Sequence, residues 1–191
     1  MNLFGTSSFI EVYDKALTEK ECQIIINSFE KSEYYLGYTG GGYRPDQKKC
    51  MQNVYSFPDI NPVTNILKPT LKRCLDRYYE KYNALNHLRG FSMYDNYNIQ
   101  KYDGEEDGYK VWHCEHGSTD VMSKRILAWM FYLNDAKSGT EFIYYPTINA
   151  KRGRCVIWPA GFTHMHKGVI PNKGLKYIAT GWISLHQSNG L

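Results

Sequence analysis

The residues of this sequence best suited to chemistry are histidines and a glutamate at even spacing. Over 109–116 an extended chain turns His113 and Glu115 to one side and Trp112, Cys114 and His116 to the other. Such an H-x-E pair can set an imidazole and a carboxylate side by side at a metal ion, although an isolated pair of this kind is more often a solvated strand face. Segment 162–168 adds His164 and His166, again two apart, and either would complete a set of two imidazoles and one carboxylate. That set takes one side of a divalent metal and leaves coordination positions open. It suits zinc as well as iron(II), which geometry and supply rather than affinity must select.

A cation stands at a suggestive distance. Lys176 follows His166 by ten residues, across a turn spelled PNKG over 171–174. The turn predicts an antiparallel return that brings the ammonium near the metal on the neighbouring strand. Along 175–185, Lys176, Ile178, Thr180 and Trp182 share a face. If Thr180 and Trp182 look inward, so does Lys176, and a lysine directed into an interior calls for an anion.

The elements that must hold these residues fall into two halves. Thr18 to Glu21 has the S/T-x-x-E form of a capping box, and Cys22, Ile25, Ile26 and Phe29 recur at helical spacing, predicting a helix over about 18–31. Leu67, Leu71, Leu75, Tyr78 and Tyr82 predict a second helix, from Asn61-Pro62 to before Gly90, kinked or restarted at Pro69. Between them, the glycine-rich 37–45 matches no phosphate-binding pattern and reads as a surface loop; as a lid it would bring Tyr43 and Arg44 to the substrate side. After Gly90 the pattern becomes short β-like runs at 91–102, 109–116, 125–133, 140–145, 154–158, 162–169 and 175–185. Strands at this spacing, with helices only at the start, predict a mainly β jelly roll buttressed by N-terminal helices.

Composition narrows the classes. The 191 residues are 42% hydrophobic and 22% charged, with 17 Tyr, 8 Phe and 4 Trp, which fits one domain with a substantial core and excludes a disordered chain. The longest apolar run, 126–133, is far short of the ~20 residues of a membrane-spanning helix. The net charge of +4 is spread along the chain and signals no nucleic-acid partner. Five widely spaced cysteines without a C-x-x-C pair, and an N-terminus without a leader pattern, predict a reducing, cytoplasmic setting.

Five segments in order, WHCEHG, NDAKSGTEF, GRCVIWP, FTHMHKG and GLKYIATGWIS, resemble the 2-oxoglutarate/Fe(II)-dependent dioxygenases, in particular the prolyl-4-hydroxylase-like branch. The likeness spans about 91–185, and the opening FIEVYDKALTEKECQIIINSFE resembles that branch as well. It implies a double-stranded β-helix core at 91–185, with 1–90 as helical support and the lid, in one domain over 1–191. It implies His113, Glu115 and His166 as iron ligands, His166 being preferred to His164 because x-Gly follows it and Lys176 lies ten residues on.

The resemblance further implies that Lys176 holds the C5 carboxylate of 2-oxoglutarate, helped by Tyr102 and Thr180, while Tyr109 and Trp182 line the substrate side. The cofactors would be Fe(II), with 2-oxoglutarate and O2 as cosubstrates and ascorbate as an optional reductant. The reaction would be a hydroxylation yielding succinate and CO2, with peptidyl proline the leading substrate among peptides, proteins and small molecules. Glu115 departs from the commoner Asp, and the connecting loops are short. These departures motivate the alternative of a non-catalytic jelly-roll binding module. A zinc hydrolase would use the same triad without O2, but would leave Lys176 without a role.

Overall fold

The computed structural model describes residues 7–39, 42–88, 90–104, 106–170 and 174–186. Helix α1, Glu19–Glu30, begins as the capping box predicts: the Glu21 amide donates to Thr18 Oγ1 (3.2 Å) and the Thr18 amide to Glu21 Oε2 (2.8 Å). Its Cys22, Ile25 and Phe29 are buried. Helix α2, Pro62–Lys81, starts at an Asn61 cap with Pro62 in the first turn, where a missing N–H costs nothing. It runs on through Pro69 as one helix, so it does not restart there. Val63, Leu67, Leu71, Cys74 and Tyr78 face inward, and Tyr82 caps its end rather than extending it.

The large sheet explains how the site is built. Its strands are β1 (Glu11–Tyr13), β2 (Tyr35–Leu36), β4 (Met51–Ser56), β5 (Phe91–Met93), β6 (Asn96–Tyr102), β8 (Arg125–Tyr132), β11 (Cys155–Pro159) and β13 (Lys176–Leu185). The spatial order is β1-β11-β8-β13-β6-β4-β2, with β5 also paired to β13, and every pairing is antiparallel. Strand alternation sorts the side chains into two layers. Leu127, Trp129, Phe131, Cys155, Ile157, Tyr177 and Ala179 join the core under α1 and α2, whereas Ala128, Tyr132, Val156, Trp158 and Ile178 point the opposite way into a second cluster. Apolar partners on both faces explain why 126–133 reads as one continuous apolar run.

Two smaller sheets complete the β framework. One orders β10 (Ile148–Asn149), β9 (Gly139–Phe142) and β12 (His166–Val169), and the other pairs β3 (Lys48–Lys49) with β7 (Gly108–Tyr109). Mainly β with helices buttressing one face is the architecture the patterning predicts. Several details differ. The first ninety residues are not purely helical support, because they supply β1 to β4. A short helix α3, Asp120–Ser123, also lies in the later half, capped by Thr119.

Of two predicted strands, one is largely absent and the other is halved. Of 109–116 only Tyr109 is in a strand; His113 instead makes an isolated two-bond bridge to His166, and the Glu115 and His116 amides both donate to the Ala160 carbonyl. Of 162–169 the first three residues form a 3-10 turn, so His164 and His166 do not share a strand face as expected. Residues 171–173 of the predicted turn, and 40 and 41 of the glycine-rich loop, lie outside the described residues.

Candidate metal centre and its cavity

The backbone bridge between His113 and His166, with N···O distances of 3.0 and 2.9 Å, sets the two imidazoles beside each other. Each ring donates from Nδ1 to a backbone carbonyl, His113 to Val111 (3.0 Å) and His166 to His164 (2.9 Å). A carbonyl can only accept, so these bonds fix the tautomer and leave both Nε2 atoms as prospective ligands. Glu115 Oε1 lies 3.7 Å from His113 Nε2 and 3.5 Å from His166 Nε2. The three ligand atoms fall within 4.8 Å of one another. Two imidazole nitrogens and one carboxylate oxygen converging in this way suit a divalent cation such as iron(II).

Glu115 differs from a shorter acid in how it is steadied. Its second oxygen, Oε2, accepts from Trp182 Nε1 (2.8 Å) and from Arg125 Nη1 (3.3 Å). The Arg125 guanidinium in turn lies 3.6 Å from the centre of the Trp182 ring. One carboxylate oxygen is thereby tied to the wall and the other offered to the imidazoles, which offsets the mobility of the extra methylene. Burial opposes the Glu115 charge, but its neighbours His166, His113 and Arg125 outweigh it and hold the carboxyl down to about 2. Burial and then the neighbouring His166 lower the His113 imidazole to about 4. An ionised carboxylate with a neutral imidazole is the state a metal requires.

These groups line a cavity of about 220 Å³ between the large sheet and the smaller ones. Tyr109 stacks on His113 with ring centres 3.6 Å apart. Lys176 enters from β13, almost fully buried, donating to Ser138 Oγ (3.0 Å) and lying 4.5 Å from the centre of the Tyr102 ring. No carboxylate pairs with it among the described residues, and burial brings its ammonium down to about 8. A buried cation facing a cavity that also holds a metal triad is equipped for an anionic ligand reaching from one to the other.

The comparisons with known proteins agree with this chemistry. Residues 97–184 match the 2OG-Fe(II) oxygenase superfamily. That match spans the part of the chain that carries the triad and Lys176. This oxygenase also resembles solved prolyl hydroxylases in fold. A viral collagen prolyl hydroxylase from Paramecium Bursaria Chlorella virus-1, solved with 2OG, superimposes with a TM-score of 0.72 at 19% identity, over 95% of this chain and 98% of the other. A Pseudomonas putida prolyl-4-hydroxylase gives 0.69 at 12% identity, over 94% of each chain. A Trichoplax adhaerens prolyl hydroxylase, solved with a peptide fragment of the hypoxia inducible factor oxygen degradation domain, gives 0.71 at 15%, over 93% of this chain and 84% of that one. No curated protein sequence matches. The enzyme is an Fe(II)- and 2-oxoglutarate-dependent dioxygenase, and the binding module and zinc hydrolase give way to it.

The oxygenase brings most of the expected residues to one place. His113, Glu115, His166, Lys176, Tyr102, Tyr109, Thr180 and Trp182 all line the cavity. The Thr180 hydroxyl is engaged by the Trp129 carbonyl (2.8 Å), and the Tyr102 hydroxyl donates to Gln100 Oε1 (2.6 Å). His164 is turned away, its ring stacked on Tyr145 and its Nε2 against the Ser8 carbonyl (2.8 Å). Arg44 is not at the cavity: it pairs with Asp46 on the surface (3.0 Å), and from its loop Tyr38 and Thr39 reach the cavity instead. Sequence reasoning missed Lys48, Gln52, Gln100 and Arg125, all of which line it. Only Arg125 left a trace, as the charge opening the apolar run 126–133.

Proposed function

We propose that this oxygenase hydroxylates a C–H bond of a peptide substrate, with peptidyl proline as the leading candidate. The carrying observation is that one cavity joins the His113–Glu115–His166 triad to the buried, carboxylate-free Lys176. Iron(II) at the triad would supply O2 activation coupled to decarboxylation of 2-oxoglutarate. The balance is one C–H bond, one 2-oxoglutarate and one O2 giving one C–OH, one succinate and one CO2.

The chain's own residues bind and orient. His113 and His166 present Nε2 because the backbone holds Nδ1, and Glu115 presents one oxygen because Trp182 and Arg125 hold the other. Lys176 anchors the far carboxylate of the cosubstrate as a point charge above the Tyr102 ring. Tyr109 and Trp182 wall the substrate side, where apolar surface excludes water. Peptide as the class is supported by the fold likeness to prolyl hydroxylases, one of them solved with a peptide.

The test is succinate release from 2-oxoglutarate with Fe(II), using proline-containing peptides and mass analysis for one added oxygen. The reading expects dependence on Fe(II) and O2, and loss of turnover in His113→Ala and His166→Ala. Turnover surviving both substitutions would refute it.

A further inference from the structure

The cavity holds a second buried lysine, which the reaction above leaves unused. Lys48, on β3, is 5% exposed and lines the cavity. Its ammonium donates to the Tyr38 carbonyl (3.1 Å) and to Gln52 Oε1 (2.8 Å), and lies 5.9 Å from the centre of the Tyr109 ring, the ring stacked on His113. No carboxylate pairs with it among the described residues; Asp107, behind the same strand pair, goes to Lys49 (3.3 Å). An ammonium has three protons, and two neutral oxygens occupy two of them. Glu115 acts on this charge only from across the cavity, and two neutral acceptors compensate a charge so buried poorly.

The wall beside Lys48 has the same polarity. Gln52 on β4 and Gln100 on β6 are register partners, and both are buried at the cavity. Each has its amide oxygen taken by a donor, Lys48 Nζ in one case and the Tyr102 hydroxyl in the other. Those bonds orient the amides, and neither NH2 group has a hydrogen-bond partner among the described residues. One ammonium and two amide NH2 groups present donors here, and each amide oxygen is already engaged by a donor. The wall matches an anion and opposes a cation.

This wall adjoins the cosubstrate anchor without sharing its lysine. Lys176 pairs in register with Tyr102, whereas Gln52 and Gln100 lie level with Ile178, and Lys48 comes from β3 beside Tyr109. We propose that Lys48, Gln52 and Gln100 form a carboxylate-binding subsite for the substrate, so that the molecule hydroxylated carries an anionic group held beside Tyr109. The proposal rests on the oxygenase reading, in which Lys176 takes 2-oxoglutarate. The carboxylate is either the terminal one of an amino or imino acid or peptide, or an acidic side chain next to the reacting residue.

The test uses Mn(II)-loaded protein saturated with N-oxalylglycine, an inert 2-oxoglutarate analogue, and calorimetric titration with three probes. N-acetylproline offers a terminal carboxylate, N-acetyl-aspartyl-prolinamide a side-chain carboxylate, and N-acetylprolinamide none. At least one carboxylate should bind tenfold or more tighter than the amide, and the tighter of the two names the source. Lys48→Met and Lys48→Gln, the latter keeping a hydrogen-bonding end, should abolish the preference, and Lys48→Arg should keep part of it. Equal binding of carboxylate and amide, no measurable binding of either carboxylate, or a preference that survives both neutral variants would overturn the proposal. So would a tenfold loss of N-oxalylglycine affinity in the neutral variants, which would place Lys48 in the cosubstrate site. Wild-type protein that fails to bind N-oxalylglycine would count against the oxygenase reading instead; the probes are then compared on Mn(II)-loaded protein alone, where the same preference decides.

Discussion

Glu115 is held by two donors, and replacing Trp182 with Phe removes one of them with little else. The ring that carries Arg125 at 3.6 Å is retained in kind, while the indole N–H that donates to Glu115 Oε2 at 2.8 Å is lost. A hydrogen bond to a charged group contributes about 1.5–3 kcal/mol net. At about 1.4 kcal/mol per factor of ten, that bounds the effect at roughly 10- to 100-fold, the range seen when an orienting partner of a metal ligand is removed. Arg125 still contacts the same oxygen at 3.3 Å, so the lower end is expected. Co(II) or Mn(II) affinity, measured by competition with a chelator, should weaken about tenfold, with a similar fall in succinate release at subsaturating iron. Adding Arg125→Met should weaken it further, because the carboxylate then has a free oxygen and can swing. A metal dissociation constant for Trp182→Phe within about twofold of wild type, in a protein with unchanged thermal stability, would refute the claim that these residues steady the ligand.

Glu115→Asp, nominally a return to the commoner acid, should also weaken metal binding, because a side chain shorter by one methylene cannot reach Trp182 Nε1 and the imidazoles together; affinity equal to or above wild type would contradict this. Lys176→Met should raise the Kd for 2-oxoglutarate by about 100-fold, the value of a buried ion pair of roughly 3 kcal/mol, while metal affinity stays intact. The pH dependence follows from the same group: burial lowers its free pKa to about 8, and the bound dicarboxylate favours the charged form. The Kd for 2-oxoglutarate should therefore be flat below that pH and rise above it, and a dependence of opposite sign would exclude Lys176 as the anchor. Gly139→Ala would drive a methyl group into the Ile148 carbonyl of the neighbouring strand, so chemical denaturation should show a loss of about 1–3 kcal/mol.

What could be read from the sequence depended on whether a residue lies where a simple periodicity holds. Lys176, Thr180 and Trp182 sit on a ten-residue regular strand, so period-two counting alone turned them to one side. His113 and Glu115 were legible by type but not by the argument used for them. Their segment is not a strand, and they converge because His113 bridges to His166 while the Glu115 amide is drawn to Ala160. Arg44 shows the opposite error, since residue type suggested chemistry while an Asp46 ion pair holds it elsewhere, and His164, passed over in favour of His166, is held away by a Tyr145 stack.

Lys48, Gln52 and Gln100 were invisible for a related reason. Alternation announces a strand only when the inward residues are apolar and the outward ones polar, and here the inward face of β4 and β6 is polar because it lines a cavity for charged ligands. Segment 48–56 therefore carries no hydrophobic signature, and its first strand is only two residues long. A stretch without a periodic signature thus supplies Lys48 and Gln52 of the wall that needs an anionic partner. The hidden strands and the donor-lined wall have one cause, a barrel interior left polar on the side where ligands enter.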